Sequence, residues 1–238
     1  MGSKIHFRSL KYLVHRLLKR KTTHLDGMRL LCDPEKVNRS IAREIIKGRY
    51  EMAERKLARE AIRSGDRVLE IGAGLGVVSI LCNRLAGAGN VTSYEANTAL
   101  EAPIRANFAL NNLTPNLVLK AVTVDGQPIT FFKNDNVVSS SVYDRGLVAE
   151  CITVPSVAID VAISRADANV IVMDVEGAEV DLLAAADLQA VREIIVEVHP
   201  HIVGAPSIDG MISALTGRGF AVTERLHKTV WLSRVATA

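Results

Sequence analysis

The chain has 238 residues, of which 48% are hydrophobic and 23% are charged, and its formal net charge is +3. These values are typical of a globular protein with one domain and a modest extension. No apolar run approaches the roughly 18 residues that a membrane span requires, and the charges near the N-terminus argue against a signal peptide. The three cysteines are scattered, which argues against a disulfide framework or a metal-binding cysteine cluster: Cys32, Cys82 and Cys151. We therefore expect a protein of the reducing cytoplasm.

The N-terminus is strongly basic, with seven lysines or arginines and no acid up to Lys21. Four apolar residues recur at helical spacing among these charges: Phe7, Leu10, Val14 and Leu17. This pattern predicts a basic amphipathic helix over residues 4–21. Its apolar stripe either packs on the domain, which we expect, or contacts an anionic surface such as lipid headgroups, nucleic acid or an acidic partner. Nucleic acid is disfavoured because an aromatic content of 4% leaves few stacking platforms.

Helical patterning continues as far as residue 65. Asp33-Pro34 suits a helix start, Gly48 separates two helices, and Ser64-Gly65-Asp66 forms a turn. We therefore predict an all-helical segment over residues 1–65 and a second unit over residues 66–238.

The stretch RVLEIGAGLG, residues 67–76, predicts a buried strand, a glycine turn and the start of a helix. Gly72, Gly74 and Gly76 can adopt positive φ and let a ligand lie against the main chain. The helix N-terminus behind the turn offers free N–H groups to an anionic ligand group. A dinucleotide-binding turn reads G-x-G-x-x-G, so the third glycine comes one residue too early for NAD.

The next strand, Val91–Tyr94, ends in Glu95. An acid at the tip of a second strand accepts hydrogen bonds from ribose hydroxyls in dehydrogenases and methyltransferases alike. Alone, Glu95 is equally well explained as a surface acid. Paired with the glycine turn, it indicates a nucleoside ligand.

After the glycine turn, strands and helices alternate, which predicts an α/β fold with a mostly parallel sheet. The predicted strands are Leu117–Val122, Pro128–Phe132, Val148–Val154, Val170–Met173, Ile194–Val198, Phe220–Thr223 and Thr229–Leu232, and the predicted helices are Ala99–Asn112, Ser156–Ser164 and Ile208–Thr216. The last two strands are joined by a few residues, so they must be antiparallel. Asn134–Gly146 is polar and predicts a loop over the site.

Acidic and histidine side chains follow two of these strands. Asp174 and Glu176 come after Val170–Met173, and Glu197 and His199 mark the end of the next strand. Ligands of open α/β sheets lie outside the carboxyl ends of the strands, so we expect these side chains to face the crevice. The three acids could gather round Mg²⁺. Acids at strand ends more often bind a ligand by hydrogen bonds, and we predict no metal.

Two motifs carry a resemblance to a known family. The pattern E-x-G-x-G-x-G from Glu70 resembles the first motif of class I methyltransferases, which bind S-adenosylmethionine (SAM). DVEGAE at residues 174–179, followed by EVHP at residues 197–200, resembles the FkbM-type methyltransferases over roughly residues 45–235. Four smaller agreements add to it: Tyr50-Glu51, Ala121-Val122, the serines 139–141 and Val154-Pro155. The family commonly has Asp and Asn where Glu70 and Gly74 stand.

The resemblance implies a Rossmann-like class I methyltransferase sheet and a SAM-dependent O-methyltransferase that acts on a sugar, glycolipid or polyketide-type hydroxyl. It implies that the cofactor is bound by Tyr50, Glu70, Gly72, Ala73, Gly74, Gly76, Glu95, Ala96, Val122 and Asp174. The serines 139–141 line the acceptor pocket or form a polar loop. The alternatives are a SAM-binding subunit without activity that docks through the basic helix, and a class I methyltransferase with a protein or RNA acceptor.

Methyl transfer from a sulfonium to a hydroxyl is an in-line displacement, and an alkyl hydroxyl needs a general base to remove its proton. His199 is the candidate base because an imidazole titrates near neutral pH. Glu176 or Asp174 could take the proton instead. Asp174 could also hold the ammonium group of the cofactor or orient the acceptor, and His199 could equally cap its strand through a backbone carbonyl.

Overall fold

A seven-stranded sheet forms the centre of the molecule in the computed structural model, which describes residues 2–133 and 150–235. The helices are α1 (Gly2–Leu17), α2 (Arg39–Lys47), α3 (Met52–Ala61), α4 (Val77–Ala86), α5 (Glu101–Ala109), α6 (Ile159–Ala166), α7 (Glu179–Ala185), α8 (Pro200–Val203) and α9 (Ala205–Gly217). The strands are β1 (Thr22–Leu25), β2 (Met28–Leu31), β3 (Val68–Ile71), β4 (Val91–Tyr94), β5 (Asn116–Val118), β6 (Ala121–Thr123), β7 (Ile129–Lys133), β8 (Glu150–Val154), β9 (Ser156–Ala158), β10 (Val170–Met173), β11 (Glu193–Glu197), β12 (Phe220–Leu226) and β13 (Thr229–Arg234). Within the described residues, no helix combines the length and the apolar character needed to cross a membrane.

The strand order in the central sheet is β12-β13-β11-β10-β3-β4-β5. Strands β11, β10, β3, β4 and β5 are mutually parallel, whereas β13 runs antiparallel to both of its neighbours. Only two residues separate β12 from β13, so the chain must turn back on itself there. The predicted fold, a mostly parallel sheet with an antiparallel last strand, is confirmed.

Alternate residues of the central strands face two different hydrophobic clusters. Val68 and Val170 pack with α4 and α5, and Leu69 and Ile171 pack with α6, α7 and α9. This period of two is what a strand buried on both faces produces. The sheet is therefore covered on both sides, and its ligand-accessible edge is the one where the strands end.

Two predicted elements differ from the structure between β5 and α6. The predicted strand Leu117–Val122 is split, because β6 leaves the central sheet and pairs in parallel with β9. The predicted helix Ser156–Ser164 begins at Ile159, since its first three residues form β9 and bury Val157. The strands near Pro128–Phe132 and Val148–Val154 are present as the antiparallel pair β7 and β8. The predicted loop at 134–146, with the serines 139–141, lies outside the described residues.

The N-terminal segment contains a β hairpin between its helices. Asp26 and Gly27 connect β1 to β2 with φ of 52° and 76°. Positive φ at both positions is the signature of a type I′ turn, for which Asp-Gly is a preferred sequence. The prediction of an all-helical segment over residues 1–65 is therefore wrong at residues 22–31, although helices flank the hairpin.

We expected the apolar stripe of α1 to pack on the domain, but three of its residues face solvent. Leu10, Val14 and Leu17 are 57%, 41% and 73% exposed. His15 faces the domain instead, and its Nε2 lies 3.0 Å from the carbonyl oxygen of Thr22. The helix is thus held by this polar contact and by Tyr12, which packs against the core and lies under Arg43 and Lys47 of α2.

The hairpin is fastened to the glycine turn through the buried amide of Asn107. Its Oδ1 accepts the Leu31 N–H at 2.7 Å, and its Nδ2 donates to the Leu75 carbonyl at 2.8 Å. Both contacts are buried, so neither backbone group can turn to water if the amide is removed.

We expect Asn107→Ala to lower the free energy of unfolding by about 2 kcal/mol, because it leaves buried backbone groups unpaired. Urea denaturation measures this loss. Asn116→Ala is the matched control, since the Asn116 amide is exposed and donates to the Thr92 hydroxyl at 2.8 Å. A change of about 0.5 kcal/mol or less is expected for that control; equal losses in the two variants would contradict this assignment.

Candidate functional site

A cavity of about 570 Å³ opens at the carboxyl ends of β3, β4, β10 and β11. Sites for cofactors and small ligands have volumes of about 300–1,000 Å³. The sheet supplies one wall and the start of α3 supplies another. The predicted site residues that line the cavity are Tyr50, Gly72, Gly74, Glu95, Ala96, Val122, Asp174 and Glu176. Residues that the sequence analysis did not single out also line it: Glu54, Asn97, Lys120, His227, Lys228 and Thr229.

Glycine at position 72 allows the loops after β3 and β10 to touch. Its φ is 90°, and a Cβ there would lie 1.9 Å from the backbone oxygen of Asp174. Gly74, with φ of 55°, has a similar role toward α3. A Cβ at Gly74 would lie 3.2 Å from both Glu51 Oε1 and the Tyr50 hydroxyl. These two glycines keep the floor of the cavity free of side chains.

Glu95 ties the glycine turn to the end of β4. Its Oε2 accepts the Gly74 N–H at 2.9 Å, and its Oε1 accepts the Asn97 N–H at 2.8 Å. Burial raises the pKa of Glu95 to about 7, against the effect of these bonds. Each carboxylate oxygen can still accept a second hydrogen bond, so Glu95 can receive a pair of hydroxyls from the cavity.

Three of the predicted cofactor-binding residues lie beside the cavity without lining it: Glu70, Ala73 and Gly76. Glu70 is 2% exposed and accepts a hydrogen bond from the Ser79 hydroxyl, which joins β3 to α4. Burial raises its pKa to about 7. Gly76 caps α4, and a Cβ there would meet Ile104 and Phe108 at 3.2 Å. These three residues therefore shape the glycine turn without lining the cavity.

Tyr50 and Glu51 reach the glycine turn from the start of α3. Glu51 has the left-handed backbone conformation, with φ of 47°. Burial, together with the nearby carboxylate of Glu54, raises its pKa well above the usual value. Its Oε2 is buried and finds no hydrogen-bond partner in the described part of the chain. A buried, unsatisfied oxygen beside an open glycine turn marks a place for a ligand donor.

Four carboxylates surround the buried imidazole of His199, and we call this group the His199 cluster. Its Nε2 lies 3.6 Å from Asp174 Oδ1, 3.5 Å from Glu176 Oε2 and 3.8 Å from Glu197 Oε1. Its Nδ1 lies 3.5 Å from Glu179 Oε1. The ring is 2% exposed and does not line the cavity, whereas Asp174, Glu176 and Glu197 do. The acids therefore stand between the imidazole and any ligand.

Glu179 is a member of this cluster to which the sequence analysis gave no role in the site. Its side chain is fully buried, and its two oxygens accept the N–H groups of His199 at 2.7 Å and Gly177 at 2.8 Å. It thereby fixes the end of β11 against the turn that carries Glu176. The signal was present, because Glu179 is the last residue of the quoted motif.

The charges of the cluster favour a protonated imidazole. Burial by itself would lower the pKa of His199, but the contact with Glu179 and the charges of Asp174 and Glu176 outweigh it and raise that pKa. Burial and the charge of Glu197 raise the pKa of Asp174 well above its usual value. The carboxylates of the His199 cluster lie close together and repel one another, so the cluster is suited to a cationic ligand.

Residues in the left-handed conformation recur around the cavity. Glu51, Glu176 and His227 have φ of 47°, 50° and 56° and all line it. This conformation costs a non-glycine residue of order 1–3 kcal/mol and is concentrated at functional sites. In Glu176 it directs the carboxylate toward the cavity at the point where β10 ends.

Comparison with known families decides between the nucleoside-binding classes. The Methyltransferase FkbM domain matches residues 70–222, well over half of the chain. This protein belongs to the FkbM methyltransferase family. It is a SAM-dependent methyltransferase, and its matched region contains the glycine turn, Glu95 and the whole His199 cluster.

Solved structures resemble the FkbM-family protein only in fold. They include magnesium protoporphyrin IX methyltransferase from Synechocystis PCC 6803 with bound SAM, at 11% identity and a TM-score of 0.47, covering 82% of this chain and 84% of that one. The ribosomal protein L11 methylase of Lactobacillus delbrueckii subsp. bulgaricus has 14% identity and a TM-score of 0.45, covering 83% and 79%. No curated protein sequence matches the chain.

The cavity of the FkbM-family protein fits SAM by its own geometry. Gly72 and Gly74 leave a floor that side chains would fill, and Glu95 offers acceptor positions above it. The unsatisfied Glu51 Oε2 and the acidic wall suit the cationic end of this cofactor. Seven of the residues predicted to hold it converge on this one space.

We expect Gly72→Ala to abolish saturable SAM binding, because its Cβ would push the loops after β3 and β10 apart. Gly65→Ala is the matched control: its φ is 88°, and nothing lies within 4 Å of the position of its Cβ. Both variants carry the same backbone strain of about 1 kcal/mol. Isothermal titration calorimetry measures the SAM affinity of the two variants. Normal binding by Gly72→Ala, or equal loss in both, would show that the close approach does not matter.

Proposed function

We propose that this protein transfers the methyl group of SAM to a hydroxyl oxygen of a polyhydroxylated small molecule, of the sugar, glycolipid or polyketide type. One observation carries the proposal. The carboxylates of Asp174 and Glu176, at the end of β10, line the same cavity as the glycine turn. They present hydrogen-bond and proton acceptors next to the place where the cofactor fits.

The charge of the cavity supports a neutral hydroxylated acceptor. Its wall carries the acids Glu51, Glu54, Asp174, Glu176 and Glu197, against the basic residues Arg49, Lys120 and Lys228. Carboxylates accept hydrogen bonds from hydroxyl groups, whereas the phosphates of a nucleic acid would be repelled by the same wall. This argues for a sugar-like acceptor over RNA.

When bound, SAM supplies a methyl group made electrophilic by its sulfonium. Gly72 and Gly74 leave room for it against the main chain, and Glu95 accepts the hydroxyls of its ribose. Tyr50 and Glu51 lie over the turn and exclude water from it. Holding the reactants in line is the main catalytic contribution that such a rigid floor makes.

Glu176 takes the proton of the acceptor in this proposal. The acceptor oxygen gains the methyl group, and the proton that it loses passes to a carboxylate oxygen of Glu176. His199, the base favoured by the sequence alone, is buried behind the acids and does not line the cavity. It acts as a positioning residue that holds the carboxylates of Asp174 and Glu176 in place.

We expect Glu176→Gln to lower kcat by about 10²- to 10⁴-fold, because the amide cannot accept the proton. The KM for SAM should change little, since the glycine turn is untouched. Asp181→Asn, an exposed acid on the next helix, is the control and should retain full activity. Unchanged kcat in Glu176→Gln would exclude Glu176 as the base.

SAM affinity should rise about tenfold between pH 6 and pH 8 through Glu95. The pKa of this carboxyl in the free protein is about 7, so half of it is protonated near neutral pH. Ribose hydroxyls donate to the ionised form, so binding releases a proton and is favoured as pH rises. Calorimetry in buffers of different ionisation enthalpy measures the released proton. An affinity that is flat or falls over this range would contradict the role of Glu95.

The acceptor class is tested with methyl-tritiated SAM and a panel of free sugars, glycolipids and macrolactones, with RNA and a protein extract as further arms. Transfer to hydroxyl compounds supports the proposal, and an alkali-stable methyl ether in the product identifies the oxygen. Transfer to RNA or protein alone would overturn it. Tight SAM binding with no transfer to any acceptor would instead indicate a subunit without activity.

A further inference from the structure

The His199 cluster places three different metal-ligand atoms within reach of one ion. Asp174 Oδ1, Glu197 Oε1 and His199 Nε2 all lie within 4.8 Å of one another. Two of these separations are 3.6 Å and 3.8 Å, both measured from the imidazole. Donors bound to one ion at about 2.1 Å are separated by about 3.0 Å when adjacent and about 4.2 Å when opposite. The two separations measured from the imidazole fall within that range.

Two further observations favour a cation at this place. Asp174 Oδ1 is closed off from solvent, and the structure gives it no hydrogen-bond partner in the residues described. His199 is 2% exposed; its Nδ1 makes no hydrogen bond within those residues either, and lies 3.5 Å from Oε1 of the fully buried Glu179. Metal-ligating histidines almost always donate their second ring N–H to a carboxylate, which fixes the ring and aims the other nitrogen at the metal. Glu179 is in the position of that carboxylate.

We propose that Asp174, Glu197 and His199 bind a divalent transition-metal ion at the carboxyl edge of the sheet. The mixed donor set selects the ion. Imidazole is a ligand of first-row transition metals, whereas Mg²⁺ and Ca²⁺ prefer oxygen alone. Mn²⁺ accepts both kinds of donor and is the natural probe. This proposal departs from the expectation of a site without metal, which rested on the tendency of acids at strand ends to bind a ligand by hydrogen bonds.

The ion would take part in the proposed methyl transfer, but binding of the ion does not depend on that function. A cation at these three residues lies beside Glu176, whose Oε2 is 3.5 Å from His199 Nε2. It would hold the oxygen of the acceptor and lower the pKa of that hydroxyl, as Lewis-acidic metals do. Glu176 would then receive the proton from a stronger acid. An acceptor with two neighbouring hydroxyls would bind best, because both oxygens can reach one ion.

Metal binding is tested on the full chain after dialysis against EDTA, with neither SAM nor acceptor present. Titration with Mn²⁺, followed by calorimetry and by the electron paramagnetic resonance signal of free Mn²⁺, should show one site per chain. We expect Glu197→Gln and Asp174→Asn to weaken binding at least about tenfold. Asp181→Asn is the control, an exposed acid outside the cluster, and should bind as the unaltered chain does. Circular dichroism establishes that the variants are folded.

The outcomes separate this proposal from the proposed function. Absence of a Mn²⁺ site, or a site that survives both Glu197→Gln and Asp174→Asn, would overturn the metal proposal and leave methyl transfer to hydroxyls standing. Binding of Mg²⁺ as tight as that of Mn²⁺ would exclude the imidazole as a ligand and overturn the assignment of His199. Failure of hydroxyl methylation with an intact Mn²⁺ site would overturn only the proposed function.

The exposed face of α1 carries a second, independent inference. Four apolar residues lie on one side of the helix at positions i, i+3, i+4 and i+7, Leu18 follows directly after its end, and all five are at least 41% exposed: Leu10, Leu13, Val14, Leu17 and Leu18. Basic residues follow the same stretch, and no acid interrupts them: Lys11, Arg16, Lys19 and Arg20. A leucine-rich face flanked by lysine and arginine suits the boundary of an anionic bilayer.

We infer that α1 docks on a negatively charged lipid surface. Charge complementarity selects this occupant, because a neutral apolar partner would leave the basic residues unmatched. The apolar residues would enter the acyl boundary while the cations pair with headgroup phosphates. A membrane-held enzyme would meet a glycolipid acceptor at the surface where that acceptor resides, which links this inference to the proposed function without depending on it.

Co-sedimentation with vesicles tests the docking. Binding is expected to vesicles of phosphatidylcholine containing about 30% phosphatidylserine, to weaken as salt rises, and to be absent with phosphatidylcholine alone. Leu13→Ser combined with Leu17→Ser should abolish it. Val222→Ser, which removes an apolar side chain that is 43% exposed on β12, is the control. Vesicle binding that is unchanged in the double leucine variant would overturn the inference. So would a concentration-dependent dimer of the unaltered chain that the same substitutions abolish.

Discussion

The architecture of the site depends on the contact between Gly72 and the backbone of Asp174. The Asp174 N–H donates to the Ile71 carbonyl at 2.9 Å, and no Cβ could fit at Gly72 beside the Asp174 oxygen. This contact joins the ends of β3 and β10, the two strands from which the cofactor floor and the acidic wall begin. Without it, the glycine turn and the His199 cluster would belong to separate loops, and no shared cavity would exist.

The second constraint is electrostatic. Carboxylates from α3, β10 and β11 converge on one half-buried space, and the imidazole of His199 lies behind them. Burying so many acids is costly unless protons or cations compensate for their charge. Raised pKa values at Glu51, Glu95 and Asp174 show the proton-based part of this compensation. The cationic cofactor, and the metal ion proposed here, would supply the rest when the site is loaded.

The sequence was sufficient for the parts of the fold that follow from local pattern. Val170–Met173 is a run of four apolar residues and could only be a buried strand, and the two residues between β12 and β13 forced an antiparallel end. The sequence did not predict the elements whose structure depends on contacts with distant parts of the chain. Ser156–Ala158 forms β9 because β6 offers it a parallel neighbour. Leu10, Val14 and Leu17 of α1 face solvent because His15 and Tyr12 make contacts of the helix with the domain. The hairpin at Asp26-Gly27 was readable but was overlooked.

The site shows the same division. The glycine spacing and the acids at strand ends named the residues that meet in the cavity, because strand ends of a parallel sheet share an edge. The burial of His199 behind Asp174 and Glu176, and its support by Glu179, depend on side-chain packing that no spacing reveals. The most direct measurement of the central claim is a crystal structure of the full chain with SAM. We expect the ribose hydroxyls on Glu95 and the main chain of residues 72–74 against the cofactor. A nucleoside bound elsewhere, without contact to Glu95, would contradict the account.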